Sequence, residues 1–147
     1  TFADLYWREM MHSGDPTLAA IAAKSEKESA YHVRHSSEWI VRLGDGTEES
    51  HRRAQEAIDL LWAFTGEMFE TCDSERGLID AGIAVDPAGL RAPWLKTVSD
   101  VVSEATLVLP KNDWMQQGGR SGRHSEHLGH LLSELQSMPR TFPGATW

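Results

Sequence analysis

The sequence contains a single cysteine, Cys72, among its 147 residues, so no disulfide can form within the chain. Small extracellular proteins are commonly cross-linked, whereas reduced thiols are typical of the cytoplasm. A membrane-spanning helix needs about 20 apolar residues, and no apolar run in the sequence is nearly that long. No signal peptide is visible. These absences predict a cytoplasmic protein that has no membrane partner.

Positive charge is also scarce. The chain has 14 Lys and Arg residues against 22 Asp and Glu residues, which gives a net charge of −8. Because nucleic-acid binding needs clustered cations facing the phosphates, nucleic acid is not expected to be a partner. Gly-x-Ser-x-Gly and Rossmann patterns are missing as well, and the acidic neighbours Glu70, Asp73 and Glu75 disfavour a reactive thiolate at Cys72.

What the sequence does contain is helical periodicity. Apolar residues make up 40% of the chain and charged residues 24%, as in ordinary globular proteins, and 147 residues suffice for one domain. Apolar positions recur every three to four residues, and no strand pattern is convincing. The predicted helices cover residues 2–12, 16–43, 48–70, 93–109 and 128–138, and residues 139–147 are predicted to be extended. The fold class is therefore all-α.

The stretch EKESAYHVRHSSEW, residues 26–39, raises the question of a metal site. Glu28 and His32 lie one helical turn apart. On a helical wheel His32 falls within the apolar stripe of the second helix and Glu28 at its edge. Buried polar groups need partners, and in ferritin-like carboxylate proteins inward Glu and His side chains from four helices hold two metals. We expect both side chains to be largely buried and hydrogen-bonded.

The short link at residues 44–47 predicts an antiparallel helical hairpin, in which residue n faces about residue 91 − n. His32 should then face about residue 59. The inward residues there are not strong metal ligands: Ile58, Leu61, Trp62 and Thr65. The pair Glu48 and His51 has suitable spacing, but it lies about 12 Å further along the hairpin. The fragments do not meet, so we expect a hydrogen-bonded polar core rather than a metal centre built by this chain alone.

Two C-terminal features are weaker candidates for a functional site. His127 and His130 turn away from the leucine stripe of the last helix, as expected for a solvated or interfacial face; His124 lies just ahead of them. The loop GGRSGRHS, residues 118–125, leads into a helix N-terminus, where anions bind, but it lacks the Gly-Lys-Ser/Thr end of a P-loop. We interpret it as an interface loop, with contact to an anionic cofactor tail as the alternative.

Three long motifs carry a family resemblance. AYHVRHSSEWIVRLGDGTEESHRRAQEAIDLLW (residues 30–62), RSGRHSEHLGHLLSELQSMPRTFPGATW (residues 120–147) and DPTLAAIAAKSEKE (residues 15–28) closely resemble the C subunit of bacterial phenylacetyl-CoA epoxidases, the PaaC family. The match spans nearly the whole chain. Members of that family are longer, with further helices at the N-terminus. We therefore expect residues 1–147 to be the C-terminal part of a single ferritin-like domain whose N-terminal helices are missing.

The resemblance implies a ferritin-like helical bundle within a multicomponent monooxygenase. That complex epoxidises the aromatic ring of phenylacetyl-CoA in aerobic phenylacetate degradation. In the family, the diiron site and the binding site for the CoA substrate lie in the A subunit, and the C subunit is structural. The resemblance thus implies no catalytic, cofactor or metal residue in this chain. It implies the A subunit and the other epoxidase subunits as partners, and a homodimer is left open.

Docking to such partners needs buried aromatic or arginine anchors. The candidates in this sequence are Trp114, Arg120, Arg123 and Trp147. One alternative is a self-sufficient diiron oxygenase or ferroxidase. Such an enzyme would need inward Glu and His ligands on four helices, all at the same height along the bundle. Another is a free-standing small-molecule binder, which would need a roomy apolar pocket.

Overall fold

A computed structural model of the chain describes residues 1–111 and 114–146. Every regular element within those ranges is helical, which confirms the all-α class predicted from periodicity. The α-helices in the described ranges are α1 (Phe2–Met10), α2 (Pro16–Gly44), α3 (Glu48–Leu61), α4 (Asp73–Asp80), α5 (Arg91–Glu104), α6 (Glu126–Leu135) and α7 (Ser137–Thr141). Short 3₁₀ segments cover Trp62–Phe64, Gly66–Phe69, Pro87–Leu90 and Gly119–Ser121.

The chain divides into two compact units, Thr1–Gln116 and Gln117–Trp147. The first unit contains α1 to α5, and the second contains α6 and α7. This division does not test whether residues 1–147 belong to a single domain, so the single domain stays a prediction. Across the described ranges, no helix combines the length and the apolar character that crossing a membrane requires.

The longest helix, α2, begins where the sequence predicts. The Asp15 carboxylate accepts hydrogen bonds from the backbone N–H groups of Thr17 at 2.8 Å and Leu18 at 3.0 Å. Pro16 occupies the first helical position, where a missing N–H costs nothing. From this start α2 runs for 29 residues and packs against α1, α3 and α5. It therefore brings α1, α3 and α5 together.

The link from α2 to α3 is stabilised by Ser50. Its backbone N–H donates to the Thr47 Oγ1 at 3.2 Å, and its hydroxyl accepts from the Thr47 N–H at 3.0 Å, which closes a capping box. The Ser50 hydroxyl also lies 2.8 Å from the carbonyl oxygen of Leu43, to which it can donate. Because only three residues separate two helices that pack together, the predicted helical hairpin is confirmed.

The end of α2 meets the end of α5 at a close backbone approach. Gly44 is buried, and a Cβ atom at this position would collide with the carbonyl oxygen of Ala105 and lie 2.9 Å from its Cβ. The Gly44 carbonyl accepts hydrogen bonds from His51 Nδ1–H at 2.7 Å and from the Thr106 hydroxyl at 3.3 Å. This Gly44 junction ties α2, α3 and α5 together, and Thr106 adopts a left-handed φ of 60° there.

The core of the first unit consists of two buried clusters that share Val98 at their margins. The first cluster lies beside the Gly44 junction and contains Ala54, Val102, Ala105 and Leu107. The second is aromatic and contains Phe69, Leu90 and Trp94. Helix α1 packs on the second cluster through Phe2, Leu5 and Tyr6. Helix α5 therefore contributes to both clusters and connects them.

The predicted third helix is too long. The α-helical part ends at Leu61 and continues as 3₁₀ turns to Phe69, whereas the sequence predicted a helix to residue 70. A distant segment causes the difference, because the Ala63 carbonyl accepts a hydrogen bond from the Gln116 N–H at 2.8 Å. A Cβ at Gly66 would lie only 3.1 Å from the Met115 Cβ. Residues 115 and 116 thus occupy the space beside the end of α3.

Three further helical predictions differ from the structure. Helix α5 ends at Glu104, five residues before the predicted end at residue 109. Helix α4 lies in a stretch expected to be irregular, and its start is fixed by the Cys72 N–H, which donates to the Glu75 carboxylate at 2.9 Å. The predicted helix at 128–138 is divided into α6 and α7, so part of the tail is helical rather than extended. Pro139 fits within the first turn of α7, where no helical hydrogen bond is lost.

We predict that Gly44→Ala lowers the free energy of unfolding by about 1–3 kcal/mol, since overpacking a closed contact costs about that much. The measurement is denaturant-induced unfolding. Gly77 provides the control, because it lies inside α4 and no atom approaches an added Cβ within 4 Å. Gly77→Ala should be neutral or stabilising by up to about 1 kcal/mol. Equal unfolding free energies for the two variants would contradict the close approach at Gly44.

Candidate functional site

The two candidate ligands on α2 lie on its exposed side. Glu28 and His32 are both exposed within the residues that the structure describes, whereas the side of α2 that packs in this chain carries the buried residues Ala22 and Ser29. The described residues therefore do not bury Glu28 and His32. Their burial against further N-terminal helices stays a prediction for the full-length protein.

The second pair, Glu48 and His51, also forms no ligand set. Glu48 is exposed at the start of α3. His51 is half-buried, and its Nδ1 must carry a proton because it faces the Gly44 carbonyl oxygen at 2.7 Å. The ring therefore ties α3 to the end of α2. Within residues 1–111 and 114–146, no three His, Cys, Asp or Glu side chains are grouped so that they could hold a metal ion.

The glycine-rich loop of the second unit is closed by its own backbone hydrogen bonds. The N–H groups of Ser121 and Arg123 donate to the Gly118 carbonyl at 3.0 and 2.8 Å, and the Gly122 N–H donates to the Gly119 carbonyl at 3.2 Å. Gly118 and Gly122 have positive φ angles of 95° and 86°, which only glycine adopts at little cost. Three amides that a phosphate would need are thus engaged, which argues against the anion-cradle interpretation.

The predicted interface residues fall into different parts of the chain. Trp114 is 60% exposed and belongs to the first unit, whereas Arg120 and Arg123 are exposed in the second unit. Trp147 lies outside the described residues. His124, His127 and His130 are exposed in the second unit, as the prediction of a solvated or interfacial face requires. The structure defines no common surface for the four anchors, so the interface stays a prediction.

A groove that the sequence did not reveal lies in the first unit, between α3 and α5. It has a volume of about 630 Å³, and its lining includes Ile40, Ile58, Leu61, Trp62, Trp94 and Val98. The Trp62 and Trp94 rings lie 5.7 Å apart between centroids, and Leu61 is 60% exposed. The lining is predominantly apolar. It can bind apolar groups, and the charged side chains in its lining are Glu49 and Arg53.

A row of aromatic and arginine side chains lies along the exposed surface of α2. Tyr31 stacks on His35 at 5.9 Å between centroids, and His35 meets the Trp39 ring edge-on at 6.4 Å. The Arg34 guanidinium lies over Tyr31 at 5.4 Å, and that of Arg42 lies over Trp39 at 5.6 Å. We call these five residues the arginine–aromatic stripe. Its sequence signal is the four-residue spacing of Tyr31, His35 and Trp39.

Together, the all-α fold and its two buried clusters define a helical-bundle protein. The chain belongs to the family of phenylacetic acid catabolic proteins, whose model matches residues 1–147. This confirms the resemblance carried by residues 15–28, 30–62 and 120–147.

Among curated proteins, the chain is similar to the C subunit of the 1,2-phenylacetyl-CoA epoxidase of Escherichia coli (strain K12). The two are 46% identical over 138 residues. The alignment covers 94% of this chain and 56% of the relative. The chain therefore spans little more than half the length of that relative.

We predict that His51→Ala lowers the unfolding free energy of this chain by about 1–2 kcal/mol, because the Gly44 carbonyl loses its shorter hydrogen bond. His32→Ala, at an exposed position, should stay within about 0.5 kcal/mol of the original chain. Chemical denaturation of the two variants side by side makes the measurement. A larger loss for His32→Ala than for His51→Ala would restore the buried polar pair and contradict the placement described above.

Proposed function

We propose that this chain belongs to a structural, non-catalytic subunit of a multicomponent phenylacetyl-CoA ring epoxidase in aerobic phenylacetate degradation. Membership in the phenylacetic acid catabolic family supports the pathway. The name of the E. coli relative, an epoxidase subunit, supports the reaction and the existence of partner subunits. The proposed partners are a catalytic subunit with a diiron site and the other subunits of the complex.

The observation that carries the non-catalytic role is the separation of the candidate ligands. Glu28 and His32 are exposed on α2, and the nearby part of α3 presents the apolar lining residues Ile58 and Leu61. His51 is held by the Gly44 carbonyl. A diiron centre in a bundle needs inward Glu and His side chains from four helices at one level. The described residues supply only isolated members of such a set.

Exposed apolar surface supports a role in assembly. In the second unit, α6 and α7 expose Leu131, Leu135 and Met138 by 50% or more. A helix of ten residues is marginally stable in water by itself, so this leucine stripe favours packing against another surface. Interfaces of stable complexes bury apolar cores of this kind. Rigid packing of such a subunit would hold the partner's metal-bearing helices in the geometry that catalysis needs. The cytoplasmic location stays a prediction.

We predict that the purified full-length protein holds no stoichiometric iron or other transition metal. The reason is the scattered placement of Glu28, His32 and His51, none of which approaches a ligand set. Elemental analysis after expression with excess iron is the measurement. About two irons per chain, lost in His32→Ala, would contradict this and would favour the alternative, a self-sufficient diiron oxygenase or ferroxidase.

We further predict that the full-length protein with a reductase and phenylacetyl-CoA gives no epoxide, and that activity appears only when the catalytic diiron subunit is added. The measurement is the amount of epoxide product formed, determined by chromatography. Turnover without the diiron subunit would contradict the non-catalytic role. Full activity of the diiron subunit and reductase in the absence of this protein would contradict the structural role.

A further inference from the structure

We draw no further inference here: the strongest candidate, the apolar groove that residues of α2, α3 and α5 line around Trp62 and Trp94, carries none, because nothing in the structure shows what covers it in a chain whose alignment spans 56% of its E. coli relative.

Discussion

The close approach of Gly44 to Ala105 is the constraint on which the first unit depends. A side chain at Gly44 would separate the ends of α2 and α5. The hydrogen bonds that His51 and Thr106 make to the Gly44 carbonyl would then lose their geometry. Because α5 contributes to both buried clusters, the junction fixes the position of the aromatic cluster as well. The groove between α3 and α5 follows from the same arrangement.

The histidines show why residue type and spacing do not by themselves define a metal site. His32 has a glutamate one turn away and looks like a ligand, but it is exposed. His51 also has a glutamate at suitable spacing, but its Nδ1–H is engaged by a backbone carbonyl. Ligating histidines commonly make such a hydrogen bond through the nitrogen that does not bind the metal. At His51 the bond has a sufficient structural purpose, because it satisfies the last carbonyl of α2.

Local signals account for the parts of the fold that the sequence predicted. The Asp15-Pro16 start, the Thr47 cap and the short link specify α2, α3 and their hairpin through contacts between close neighbours in sequence. The early end of α3 depends instead on Gln116, which lies far away along the chain, so no local pattern could reveal it. The wheel of α2 is ambiguous for a related reason. It carries apolar residues on two sides, and only tertiary packing selects the side with Ala22 and Ser29.

The sequence signal for the candidate functional surfaces differs in the same way. The groove could not be predicted, since its lining combines residues of α2, α3 and α5 that lie far apart along the chain. The arginine–aromatic stripe has a local signal, the four-residue spacing of Tyr31, His35 and Trp39 on one helix. Protein interfaces combine apolar area, which contributes to affinity, with charged groups, which contribute to specificity and association rate. This chain carries the two on separate surfaces, with the apolar lining around Trp62 and Trp94 and the arginine side chains along α2. The first surface is suited to burial against another apolar surface, whereas the second is suited to contact with polar or charged groups.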